Sequence, residues 1–264
     1  MNQLFFQLNI KPENVEDLKT THIFVVGDLI LDHYIRGQVI RISPEAPVPV
    51  LKEGAHHYVL GGAGNVAANI SHFGAKAQLA GRICDDADGR NFKVLCDVAH
   101  IDTKGLILSN LIQTTRKTRV LSGYQQLLRL DSEEIADLSS AEEDRILSQA
   151  KLFCETSQRR AMILSDYGKG VLTTKLITQL IALGKQTGTP VVIDPKSVDI
   201  ARYAHATLIK PNLSEGRAAL QASTPGIKFN NFEDEIKAIA AAIFQRSQVK
   251  YLVLSLSDRG VAFF

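Results

Sequence analysis

Residues 161–194 read AMILSDYGKGVLTTKLITQLIALGKQTGTPVVID, and this stretch decides the fold. An apolar run at 161–165 stops at Asp166. A helical segment follows over 173–187, and a second apolar run at 190–194 ends on Asp194. A strand, a helix of about a dozen residues and a second strand make a βαβ unit, whose two strands lie parallel. Runs such as VVID, and YLVL at 251–254, are apolar without alternation, which fits a sheet covered by helices on both faces.

The same alternation extends in both directions. Upstream, HIFVVG at 22–27 is a short apolar strand closed by Gly-Asp. Further strands are expected at 77–83 and 104–108, with helices at 62–73, 87–100 and 141–154. Downstream, strands are expected at 206–209, 251–255 and from 261, with a helix at 213–221. In a last helix Ile236, Ile239, Ala240, Ile243 and Phe244 form one apolar stripe. Residues 34–41 and 48–53 also read as strands, but Pro44, Pro47 and Pro49 break them. Proline at that density suits edge strands or a small separate sheet. Strands at 117–122 and 125–130 are expected to be partly antiparallel. The expected class is α/β, with a mostly parallel central sheet.

The 264 residues are 45% hydrophobic, enough for one large domain, and no repeat or low-complexity linker divides them. The formal net charge of +2 gives no reason to expect nucleic acid or an anionic membrane as partner. No run of about 18 apolar residues is present, and residues 1–14 show no secretory pattern. Cys84, Cys96 and Cys154 are widely spaced and match no zinc pattern, so they read as buried thiols in a reducing cytosol. The chain ends at Phe264 on a fresh strand with no closing helix, which reads as an incomplete C-terminus.

In open α/β sheets, ligands bind beyond the carboxyl ends of the strands. There the sequence places Asp28 and Asp32, the glycines of 61–64, Asp166 to Lys169, Asp194 to Lys196, and Lys210 to Glu215. Gly61, Gly62 and Gly64 open a helix beside Asn65. Glycines let a ligand approach the backbone, and a helix start offers free N–H groups. The turn suits sugar hydroxyls or simple helix packing. It also matches Gly-x-Gly-x-x-Ala with Asp85 about 20 residues on, a dinucleotide pattern. That pattern belongs after the first buried strand, whereas a proline-rich insertion intervenes here. Asn212 and Glu215 have the spacing of a capping box, which is compatible with a magnesium-bound water network beside phosphates. Arg116, Lys117 and Arg119 form either a solvated face or an anion site, with 117 and 119 on one side of a strand and 116 on the other. Arg129 and Asp131 on the next strand can frame the same pocket. Lys169 and Lys196 each follow a strand-end acid, and each suits an ion pair or phosphate neutralisation.

In their order along the chain, FVVGDLILDHYIRG (24–37), GGAGNVAANISHFGA (61–75) and KPNLSE (210–215) resemble the ribokinase-like, or PfkB, carbohydrate kinases. Within that class RISPEAPVPV (41–50), TTRKTRVLSGYQQLLRLDSEE (114–134), LSDYGKGVL (164–172) and residues 193–215 are similar to the heptose 7-phosphate kinases. Those occur alone or as the N-terminal domain of bifunctional ADP-heptose synthesis proteins. The resemblance covers residues 20–264. It implies a three-layer ribokinase-like sandwich with a small β-sheet lid from about 34–53 and 117–130, often the seat of a homodimer. It implies ATP and Mg²⁺ as cofactors, a sugar phosphate as substrate, phosphorylation at O1, and a cytoplasmic place in lipopolysaccharide core synthesis.

By the same resemblance Asp32, Gly61, Gly62, Asn65 and Asp131 face the sugar. Arg116, Lys117, Arg119 and Lys169 face its phosphate. Asn212, Leu213, Ser214, Glu215 and Lys196 line the nucleotide side, with Glu215 holding the metal through water. The class takes its general base from an aspartate in a Gly-Ala-Gly-Asp turn. That turn is expected beyond Phe264 and is absent from these residues, so the chain as it stands is expected to bind without turning over. A different sugar kinase of the class, or a non-catalytic sugar-phosphate-binding remnant, are the alternatives.

Overall fold

The structure, a computed structural model, describes residues 16–156 and 159–264; the N-terminal stretch read above for a secretory pattern lies outside them. The strands are β1 (His22–Gly27), β2 (Leu29–Ile42), β3 (Pro49–Gly62), β4 (Lys76–Cys84), β5 (Asp102–Ser109), β6 (Arg116–Ser122), β7 (Gln125–Ser132), β8 (Arg160–Ser165), β9 (Val191–Asp194), β10 (Leu208–Ile209), β11 (Tyr251–Ser255) and β12 (Val261–Phe263). The helices are α1 (Ala63–His72), α2 (Ala87–Val98), α3 (Ser140–Thr156), α4 (Thr174–Thr187), α5 (Leu213–Ser223) and α6 (Phe232–Ser247).

Eight strands form the central sheet in the order β12-β11-β10-β9-β8-β1-β4-β5. All pair in parallel except the β11–β12 hairpin. Each central strand feeds apolar side chains to two layers. Phe24 and Val26 of β1 pack in the core with α3, α4, α5 and α6, whereas Val25 packs with α1 and α2 on the opposite face. This is the three-layer arrangement expected from the unalternating strands.

The remaining four strands form a second sheet, β3-β2-β6-β7, with β2 and β6 parallel and the outer pairs antiparallel. Its strands β2 and β3 are longer than the sequence suggested. The added length is at the end away from the prolines, where residues 29–33 pair with the segment up to Gly62; Pro44 and Pro47 lie in the turn between the strands and Pro49 begins β3, as proline requires. Asp28 alone separates β1 from β2 and therefore joins the two sheets. Strand order reverses on either side of β1, which places the topological switch point at the carboxyl ends of β1 and β8. Among the described residues, no helix is long and apolar enough to cross a membrane. Cys96 and Cys154 are buried, but Cys84 is partly exposed. Burial pushes the Cys96 thiol up to about 12.

Candidate active site

Asp28 organises the switch point. Its backbone oxygen accepts the Ala63 N–H at 2.9 Å, at the start of α1. Its buried carboxylate accepts the N–H groups of Tyr167 at 2.8 Å, Lys169 at 3.1 Å and Val171 at 3.0 Å. One side chain thus fixes the loop after β8 to the end of β1. Burial pushes the Asp28 carboxyl up, against the pull of those three amides. The next acid, Asp166, accepts from the Tyr203 hydroxyl at 2.6 Å and from the Gly168 N–H at 2.8 Å.

The glycine turn follows β3 of the small sheet, not the first buried strand of the central one, so it lacks the context of a dinucleotide fingerprint. Gly62 adopts φ +56°, a conformation that side chains disfavour. A Cβ at Gly61 would overlap the Asp32 carboxylate. Asn65 is exposed on the first turn of α1 and takes Asn69 Nδ2 on its backbone oxygen at 3.0 Å.

Strand alternation distributes the cations as the spacing predicts. Lys117 Nζ lies 2.7 Å from Asp131 and 3.5 Å from Glu133. Arg119 is hydrogen-bonded to Asp32 and stacks over the Tyr34 ring, 5.3 Å from its centroid. Between them Thr118 is buried and faces His33 on the other side. Arg116 shares that other side and reaches Asp88 of α2 at 2.8 Å, so it does not converge with Lys117 and Arg119. Lys169 comes in from the loop after β8, with Nζ 2.8 Å from Glu133. Hydrogen bonds from Lys117 and Lys169 hold the carboxyls of Asp131 and Glu133, respectively, below their ordinary values.

The ion pairs expected between sequence neighbours do not form. Lys169 takes Glu133 rather than Asp166, and Lys196 lies 3.8 Å from Glu215 while Lys210 takes Asp194 at 2.9 Å. Residues adjacent along a loop turn to opposite sides, and a long lysine reaches the nearest carboxylate in space. Asn212 and Glu215 do form the capping box, with both bonds at 2.9 Å, ahead of Leu213 and Ser214 in the first turn of α5. One Glu215 oxygen faces Lys196 and the other caps the helix. A magnesium ion that keeps most of its waters needs one such carboxylate plus phosphate oxygens, and this donor set fits that role. Among the described residues no group of three or more His, Cys, Asp or Glu is arranged to hold a metal directly.

Asp88 and Glu133 were not singled out by sequence, and Asp28 and Tyr167 were placed at the strand ends without a role of their own. Tyr167 stands amid the chemistry: burial pushes its hydroxyl up, reinforced by Asp194, Asp32 and Glu215. A cavity of about 670 Å³ opens at the opposite end of the central sheet, lined by His22, Lys76, His100 and Phe153, and contains none of the residues above.

The family model described as pfkB family carbohydrate kinase matches residues 20–264. The bifunctional protein HldE of Magnetococcus marinus is 39% identical over 243 residues, 91% of this chain and 48% of the relative. The protein of the same name from a Caulobacter species is 41% identical over 240 residues, 91% of this chain and 46% of the relative. The chain therefore spans about half the length of these curated relatives. Among solved structures, phosphofructokinase-2 from Escherichia coli superposes with a TM-score of 0.71 at 19% identity, over 92% of this chain and 76% of that one. Arabidopsis thaliana ribokinase, complexed with ribose and ATP, gives 0.63 at 17% identity over 92% and 74%. At these identities the structural likeness speaks for the fold.

Proposed function

The chain belongs to the pfkB family of carbohydrate kinases, and from that premise we propose that it is the kinase part of a protein that transfers the γ-phosphate of ATP to O1 of D-glycero-D-manno-heptose 7-phosphate. The 1,7-bisphosphate then serves ADP-heptose and lipopolysaccharide core synthesis in the cytoplasm. The observation that carries the reading is the convergence of Asp32, Arg119, Lys117 and Lys169 beside the switch point. A carboxylate suited to sugar hydroxyls stands next to several cations suited to a phosphate monoester.

In this reading Asp32, Gly61, Gly62, Asn65 and Asp131 receive the sugar hydroxyls. Lys117, Arg119 and Lys169 receive the 7-phosphate, whereas Arg116, paired with Asp88 on the opposite face, stands apart from them. Asn212 to Glu215 and Lys196 line the nucleotide, and Glu215 holds Mg²⁺ through water. Bound Mg²⁺ would offset charge on the ATP phosphates. Residues 1–264 act as one kinase domain, with the small sheet as lid. Val39, Ile40, Ile42 and Val48 are exposed along the far end of that sheet and suit a homodimer through it. The 264 residues contain no Gly-Ala-Gly-Asp turn, so we propose that they bind the sugar phosphate and leave the acceptor hydroxyl without a base.

Calorimetric titration with D-glycero-D-manno-heptose 7-phosphate, against ribose and fructose 6-phosphate, tests this reading. Selective heat with the heptose phosphate is the expected result. Equal or absent binding of all three would overturn the substrate assignment, and turnover of the 264-residue chain at an ordinary kinase rate would overturn the account of the base.

A further inference from the structure

Glu133 lies just past β7, in a run without regular structure that leads to α3. Its carboxylate accepts from Lys169 at 2.8 Å and from Lys117 at 3.5 Å, so it bridges the small sheet and the loop that Asp28 fixes to the central one. We infer that Glu133 is a displaceable internal anion, holding in the free protein the seat between Lys117 and Lys169 that a phosphate monoester takes on binding. The inference rests on the proposal that these lysines face the substrate's phosphate, and it adds the residue that sets the affinity and selectivity of their seat.

The charges favour exchange. Lys117, Lys169 and Arg129 gather around Asp131 and Glu133. When Glu133 swings out, three cations face one carboxylate, and a dianion completes the balance. Asp131 cannot leave as readily, because it is held at once by Lys117 at 2.7 Å and Arg129 at 2.9 Å on adjoining strands. Glu133 has two lysines but no regular backbone pairing, so rotation of its side chain releases it. A phosphate dianion offers each ammonium a stronger acceptor than a carboxylate does. A neutral sugar offers no charge to replace the lost ion pairs, so it leaves Glu133 in place. The seat thereby discriminates against unphosphorylated sugars without a steric barrier.

The test is titration of inorganic phosphate into the wild-type chain, Glu133→Gln and the double variant Glu133→Gln/Lys169→Gln, at fixed low ionic strength. Glu133→Gln is expected to bind phosphate about tenfold more tightly, as removal of one competing charge in a site whose side chains are about a quarter exposed or less implies. The double variant is expected to lose that gain. Glu133→Asp keeps the charge, shortens the reach to Lys169 and should fall between, which provides a second reading if the amide variant folds poorly. Phosphate affinity unchanged or weakened in both single variants would overturn the inference. A phosphate gain in Glu133→Gln, with no preference of the wild type for heptose 7-phosphate over fructose 6-phosphate, would uphold the role of Glu133 and overturn the heptose assignment instead.

Discussion

Arg119 of β6 is hydrogen-bonded to Asp32 of β2, two positions along the strand from its direct cross-strand partner, Tyr34, whose ring lies beneath the guanidinium. The diagonal contact fixes the Asp32 carboxylate on the face that also carries Lys117, and Asp32 in turn pushes the Arg119 guanidinium pKa up. Both side chains are mostly buried, so the bond contributes more than a surface pair. Asp32→Asn is expected to cost about 1–2 kcal/mol in urea denaturation. It should also weaken sugar-phosphate binding about tenfold or more, since a charged acceptor for hydroxyls is lost. A double-mutant cycle with Arg119→Gln should return a coupling of about 1 kcal/mol; additivity of the two single changes would show that the contact carries no energy.

Asp28, itself buried, accepts three backbone N–H groups, that of Val171 in a fully buried bond. Asp28→Ala strips all three donors of their acceptor, and unsatisfied buried donors are costly. The expected loss is about 2–4 kcal/mol by chemical denaturation. Amide exchange should accelerate at Tyr167, Lys169 and Val171 while β1 and β4 remain protected. A loss under about 0.5 kcal/mol, or exchange that rises evenly over the whole sheet, would contradict a local latch.

The central sheet was legible because its strands are unbroken apolar runs and its helices carry clear punctuation. Residues 22–27 and 251–255 were delimited to the residue. The small sheet was legible only in part. Strands β2 and β3 continue through His33, His56 and Tyr58, polar residues that stack and hydrogen-bond with one another inside the sheet, and such partners are invisible until the strands pair. The site shows the same division. The capping box and the alternation of Lys117 and Arg119 follow from spacing along one element. Glu133 meets Lys169 across 36 residues, and Arg116 meets Asp88 across 28, so only the fold could reveal them.

Asp131 and Glu133 give the stability of the fold an acid edge. Lys117 holds the carboxyl of Asp131 below its ordinary value, and Lys169 does the same for Glu133. The unfolded chain then binds protons that the folded chain does not, so the ion pairs stabilise fully above the unfolded values of about 3.9 and 4.3. The contribution drains as pH falls through the lower folded values. Both carboxylates are about a quarter exposed, so each contribution is expected to stay near 1 kcal/mol or less. Urea midpoints taken from about pH 6 down to about pH 3 should fall more steeply for the wild type than for an Asp131→Asn/Glu133→Gln variant. Parallel slopes would mean that these pairs persist, or are equally absent, in the unfolded chain.

The capping box at α5 separates two roles that one carboxylate can hold. Asn212 and Glu215 each accept the other's backbone N–H at 2.9 Å. Asn212→Ala removes the acceptor for the third helical amide and is expected to cost about 1 kcal/mol. Glu215→Gln leaves an amide oxygen that still accepts from the Asn212 N–H, so the helix should lose no more than about 0.3 kcal/mol. The charge, however, is gone. If Glu215 also orders the water shell of a magnesium ion beside phosphates, Mg²⁺-tripolyphosphate should bind Glu215→Gln about tenfold more weakly than it binds the wild type. Thermal melts and calorimetry on the same samples read the two effects separately. A variant that loses stability as Asn212→Ala does, yet binds Mg²⁺-tripolyphosphate like the wild type, would reduce Glu215 to a helix cap alone.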